Sequence, residues 1–169
     1  MTERRRRPIA FDPSLVTPDL KALHRAAVQN PRGPEDRLLR VTLNHLDRIR
    51  NGGKSTHRLE YMPTYPDLSD CETTYVGTDS NRKPSHRLIW RERIPQDPRQ
   101  PIVREIVALG ERENGQAYHA AGQRLNRPVG FTLSELSMQR EPIASRYRPP
   151  HIDRGVDVPS SVESDLEFN

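Results

Sequence analysis

Two groups of side chains in this chain have the right types and spacing to handle a phosphate. The first lies in the alternating run His86–Ile94, HRLIWRERI. Successive strand residues point to opposite faces, so Leu88, Trp90 and Ile94 share one side and Arg87, Ile89, Arg91 and Arg93 the other. Guanidinium forks match phosphate oxygens, which makes the arginine face a candidate anion surface. A solvated face neutralised by neighbours such as Glu92 or Glu105 fits the same pattern equally well. The second group is Arg112, just after Gly110, with Tyr118 early in the helix that follows. A strand-to-helix corner sets both at the rim of a groove. There a tyrosine can stack on a nucleobase or move a proton, and an arginine can stabilise a phosphorane. A tyrosine in a first helical turn is also a common packing residue.

Other chemistries find no support in the sequence. His24, His45, His57, His86, His119 and His151 show no metal-ligand spacing, and Cys71, the single cysteine, has no thiol partner. There is no phosphate-binding P-loop, no GxGxxG and no GxSxG. Buried structural thiol is the expectation for Cys71. The basic run Arg4–Arg7 is not followed by an apolar stretch, and no run is long and apolar enough to span a bilayer. The chain therefore reads as cytoplasmic.

Net charge is +4 and the sequence pI is about 9.6. The charge is unevenly distributed: residues 1–126 hold 22 basic against 16 acidic side chains, and residues 127–169 hold 5 against 7. A basic body points to a polyanionic partner. Only 33% of residues are hydrophobic, and 16 are proline. That predicts a folded domain over 9–127, a disordered basic start over 1–8 and a disordered tail over 128–169.

The elements that must position the arginines follow from periodicity. Ile9–Phe11 predicts a brief strand. Leu20, Leu23, Ala27 and Val28 predict a helix, with Thr17 as its N-cap and Pro18 in its first turn. Asn30–Gly33 breaks it, and Pro34 opens a second helix with Leu39, Leu43, Leu46 and Ile49 as its apolar stripe. Residues 54–70 read as irregular. Three strands follow at Glu72–Thr78, His86–Ile94 and Ile102–Leu109, and a last helix spans about Gly115–Asn126, with Ala117, Ala121 and Leu125 on its inner face. The expected fold class is α+β: a helical hairpin packed on a small antiparallel sheet, with a C-terminal helix.

These motifs carry a family resemblance. Leu109–Leu125, LGERENGQAYHAAGQRL, is similar to the C-terminal signature of RelE-type toxins: a valine-rich strand, glycine, basic residues, then tyrosine and alanine on a helix ending in Arg-Leu. Ser85–Glu92, SHRLIWRE, resembles the family's YRLVY strand, and Leu68-Ser69-Asp70-Cys71 resembles its MPDC entry. The likeness is best over Asp67–Arg127. It implies the toxin of a toxin–antitoxin pair, a ribosome-dependent mRNA endonuclease in which the 2′-OH attacks the phosphate without metal or cofactor. Its implied partners are mRNA, the ribosome and a cognate antitoxin. By the same resemblance Arg87 binds phosphate, Arg112 stabilises charge and serves the leaving group, and Tyr118 orients the nucleotide. Lys83, His86, Arg91, Arg93 and Arg124 complete the expected RNA-binding surface. One departure matters: Thr73 and Tyr75 stand where RelE has two lysines, one of them a general base. Lys83 or His86 is a candidate replacement. Two alternatives share the fold: a ParE-like gyrase inhibitor, and a non-catalytic RNA- or protein-binding module.

Overall fold

The computed structural model describes residues 7–139. The disorder expected for the first few residues and for the chain end thus concerns residues outside the described ones. In chain order the elements are β1 (Ile9–Asp12), α1 (Thr17–Gln29), α2 (Pro34–Arg50), β2 (His57–Arg58), β3 (Cys71–Val76), β4 (His86–Arg93), β5 (Ile102–Glu111), a short 3-10 turn (Glu113–Gly115), α3 (Gln116–Arg124) and α4 (Leu133–Gln139). The class is α+β, with four α-helices among the described residues. No helix there is long and apolar enough to cross a membrane.

The five strands form one sheet in the order β1-β5-β4-β3-β2. The sheet is mixed, which corrects the expected wholly antiparallel sheet, while the three strands read at its centre pair antiparallel as expected. β2, β3, β4 and β5 are antiparallel neighbours, but β1 runs parallel to β5, with Ile9 opposite Ile102 and Asp12 opposite Glu105. A strand this short carries no pairing signal of its own. Its place is fixed by β5's free edge and by Arg93, which reaches Asp12 at 3.4 Å. The irregular stretch after α2 supplies β2, held by Thr56 N–H to the Thr73 carbonyl and Leu59 N–H to the Cys71 carbonyl.

Both faces of the sheet are covered. The α1–α2 hairpin packs on one, around Val16, Ile49, Leu88, Trp90 and Ile106. On this side Trp90 donates its indole N–H to Thr74, and Arg104 lies over the Trp90 ring. Arg104 donates to the Ile49 and Gly53 carbonyls at 2.8 and 2.7 Å and to Glu92 at 2.9 Å. It so satisfies acceptors left open where α2 ends. Two helix details differ from expectation. Thr17 lies inside α1 rather than capping it, and its hydroxyl donates to the Pro13 carbonyl. The buried row of α2 is Leu38, Thr42, Leu46 and Ile49, while Leu43 is 49% exposed. The sheet touches a line one residue round the helix from the Leu39–Leu43 line.

α3 covers part of the other face, over Ile89, Val107, Ala108, Ala117 and Ala121. Leu88 and Trp90 thus point to the hairpin and Ile89 to α3, as the alternation predicts. Ile94 departs from that reading: it lies beyond β4 and is 67% exposed. β5 carries a bulge, since Ile89 pairs with Ala108 but Trp90 with Ile106. Val107 is the inserted residue, and the insertion switches which residues of β5 face α3. Gly110 is thereby brought opposite Arg87 on the α3 side.

Part of the segment read as tail is structured. α4 is opened by a capping box in which Thr132 N–H donates to Glu135 at 2.7 Å and Glu135 N–H to the Thr132 hydroxyl at 3.3 Å. Leu133 N–H donates to buried Asp67, which anchors the helix to the domain.

Candidate nucleic-acid interface

Three side chains converge where β3 ends, β4 begins and β5 runs out. Arg87 pairs across the sheet with Tyr75 on one side and Gly110 on the other. A methyl group on Gly110 would sit 3.0 Å from the backbone of Ala117, so only glycine lets α3 approach this closely. That approach sets the Tyr118 ring under Arg87, whose guanidinium carbon is 4.6 Å from the ring centre. Arg112 follows the end of β5 and is fixed by its N–H to the Ser85 carbonyl. Its guanidinium lies 5.5 Å from the Tyr75 ring, and that of Arg87 lies 5.7 Å from the same ring. Two cations thus flank one tyrosine.

Aromatic groups extend the cluster. Tyr65 meets Tyr118 edge-on at 5.3 Å and His119 at 5.3 Å. Gly115, at φ 63°, leaves the space that the Tyr65 ring fills. On the other side the Tyr75 hydroxyl lies 3.3 Å from His57 Nδ1, and either group can donate depending on the imidazole tautomer. Burial pushes the Tyr118 phenol above its ordinary pKa, and the charges of Arg87 and Arg112 pull only partly against it. Tyr118 is therefore a neutral hydroxyl at physiological pH.

The electrostatics separate this pair from the other predicted arginines. Arg91 holds Glu105 at 2.5 Å and Asp70 at 3.5 Å, and Arg93 holds Asp12 and Glu105, each at 3.4 Å. Arg124 grips both oxygens of Asp19 at 2.5 and 2.6 Å and the Val107 carbonyl at 2.9 Å. These three are engaged in holding elements together. Arg87 and Arg112 are half-buried, yet among the described residues neither has a carboxylate within 4 Å. The Arg87 Nε is buried without any hydrogen-bond partner there. Buried donors are paired in nearly all folded proteins, so an orphan donor on a cation is an unusual cost at this position.

Of the sequence-predicted site residues, then, Arg87, Arg112 and Tyr118 are brought together. His86 falls on the hairpin side of β4, opposite Val76 and Glu111, so the sheet separates it from Arg87. Burial lowers its pKa, against the pull of Glu111. Lys83 and His86 line a shallow cleft with Arg112 round the end of the sheet. Thr73 is fully buried and offers no proton acceptor to solvent. His57 and Tyr65 join the cluster without having been singled out by sequence, while His119, a secondary candidate from the sequence, packs against Tyr65. Cys71 is fully buried, its thiol pushed up to about 12 by burial and then by Asp70. Among the described residues no three His, Cys, Asp or Glu side chains converge into a metal-holding group.

Comparison with protein-family models, with curated proteins and with solved structures finds no match for this chain.

Proposed function

We propose that this chain is a RelE-like endoribonuclease that cleaves single-stranded RNA by attack of the substrate's own 2′-OH. The observation that carries the reading is the half-buried Arg87–Arg112 pair, without a carboxylate partner among the described residues and stacked among Tyr75 and Tyr118. Two guanidiniums beside aromatic rings match the phosphate and base of a nucleotide. The placement of the hairpin and α3 on opposite faces supports the RelE-like assignment, as do the motifs in β4 and α3.

The chemistry divides among the chain's own groups. The new bond joins the 2′-oxygen to phosphorus, and the bond to the 5′-oxygen breaks. With Nδ1–H donated to the Tyr75 hydroxyl, His57 Nε2 has a free lone pair to accept the 2′-OH proton. Arg87 and Arg112 stabilise the charge that builds on the phosphorane oxygens. Tyr118 orients the nucleotide, Arg112 stabilises the departing 5′-oxygen, which takes a proton from water, and His57 returns its proton to solvent. The products are a 2′,3′-cyclic phosphate and a 5′-OH. The resemblance further supports a toxin acting on mRNA at the ribosome, in the cytoplasm, with a small antitoxin protein as its partner.

A second reading, a non-catalytic RNA-binding module, is favoured by the burial of Thr73 and by Tyr75 at the other lysine position. Induced expression with primer extension on cellular mRNA separates the two. Wild type is expected to arrest growth and to cut mRNA leaving cyclic-phosphate ends, with both effects lost in Arg112→Ala and His57→Ala. RNA binding without cleavage would leave the binding module. Arrest with supercoiling defects and intact mRNA would point to gyrase.

A further inference from the structure

Next to the arginine pair the same face of the molecule opens into a cleft of about 320 Å³. It is walled by Leu59, Met62, Tyr65 and Leu68, with Tyr118 and His57 also lining it. Tyr118 belongs to both places: it lines the cleft and also lies under the Arg87 guanidinium. Met62, in the cleft wall, is 49% exposed, an apolar surface left open to solvent.

The cleft's neighbours decide what fits it. An aliphatic side chain of a protein partner would bury the same apolar wall but would have no use for two cations that meet no carboxylate among the described residues. A nucleotide uses both, because its flat ring lies one ribose away from its phosphate. Aromatic and thioether groups stack on bases of any sequence. We propose that this cleft is a nucleobase subsite. It takes the base of a single-stranded RNA nucleotide whose phosphate rests on Arg87 and Arg112. The inference rests on the RNA reading above and adds the residues that hold the base. These are Tyr65 and Met62, which come from the stretch between β2 and β3 and lie outside the motifs that carry the family resemblance.

The test uses the full chain and a 2′-O-methyl single-stranded RNA, which binds but has no free 2′-OH to react. A series of such oligonucleotides carries one abasic position each, and a second series carries 2-aminopurine. One abasic position is expected to weaken binding by about tenfold, the size of one stacked base. Fluorescence of 2-aminopurine at that position is expected to be quenched. Tyr65→Ala and Met62→Glu should both abolish that position dependence. Met62 is exposed, so its variant remains decisive if loss of Tyr65 disturbs α3. If every abasic oligonucleotide binds as tightly as the intact one, while Arg87→Met weakens all of them equally, the subsite is refuted and the phosphate site stands. If Arg87→Met and Arg112→Ala leave RNA affinity unchanged, the RNA reading falls and takes the subsite with it.

Discussion

Replacing Arg87 with methionine should cost RNA binding and little or no stability. Methionine keeps the aliphatic packing and removes the charge. Two contributions oppose each other in the folded protein. The guanidinium lies 4.6 Å from the Tyr118 ring, a contact that stabilises by about 0.5–2 kcal/mol according to how dry it is. Against it stands the buried Nε without a partner, a penalty of about 1–3 kcal/mol. Repulsion from Arg112, beside the same Tyr75 ring, adds to the penalty. The balance predicts a variant between about 1 kcal/mol less stable and about 2.5 kcal/mol more stable than the wild type. Arg104→Met provides the contrast, because it strips partners from Glu92 and from the Ile49 and Gly53 carbonyls. Arg104 is buried but Glu92 is a third exposed, so the main loss is the two carbonyls left unpaired, about 1–3 kcal/mol each. Urea unfolding measures both, and affinity for single-stranded RNA should fall by about tenfold or more in Arg87→Met alone, the loss of one charge-assisted bond. A destabilisation of Arg87→Met matching that of Arg104→Met, with RNA affinity intact, would show that Arg87 is a structural residue and sink the argument.

Gly110→Ala drives a methyl group to 3.0 Å from the Ala117 backbone, so α3 must move. Overpacking of this kind costs about 1–3 kcal/mol, a fall in Tm of about 2–4 °C per kcal/mol for a chain of this size. Because Tyr118 moves with the helix, RNA cleavage should drop more than stability does, and a variant with wild-type Tm and wild-type cleavage would contradict the packing. Acid sensitivity is set partly by Asp70. Burial raises its pKa, but the hydrogen bond and charge of Arg127, with Arg91, outweigh that and hold it below its ordinary value. A lowered folded pKa gives stability that is complete above the ordinary carboxylate range and is lost as pH falls through the depressed one. Asp70→Asn should therefore be less stable near pH 7 and show a shallower loss on acidification, read from unfolding curves across pH; an unchanged slope would refute the assignment.

The sequence was most informative where periodicity and burial agree. The three central strands, both hairpin helices and the inner face of α3 were legible because their apolar spacing is regular and long. β1 was read from its apolar run but its parallel pairing was not, and β2 was missed, since strands of this length are defined by the edge they add to. The capping box at Thr132 and Glu135 was readable as T-x-x-E, and the prolines around it obscured it. At the site, Arg87, Arg112 and Tyr118 were found because they lie in motifs. His57 and Tyr65 were not, because nothing local relates a two-residue edge strand or an irregular loop to a tyrosine on α3. The arginine run of β4 shows the limit most clearly. Alternation places Arg87, Arg91 and Arg93 on one face, but it cannot say which of them meets a carboxylate.

That difference comes from β5. Opposite Arg91 the register places Glu105, and opposite Arg87 it places Gly110. The same glycine therefore has two effects. It withholds an anion from Arg87, and it clears the space through which α3 brings Tyr118 beneath the guanidinium. The bulge at Val107 is what puts Gly110 rather than Leu109 on this face. Leucine there would fill the gap, hold α3 away and bury Arg87 against an aliphatic chain. An open cationic site at this corner thus depends on one inserted residue and one missing side chain, and neither is itself a group that touches RNA in the proposed reaction. Function at such a site should therefore be more sensitive to β5 than its contact residues suggest, and loss of the bulge should disable it while leaving every arginine in the sequence.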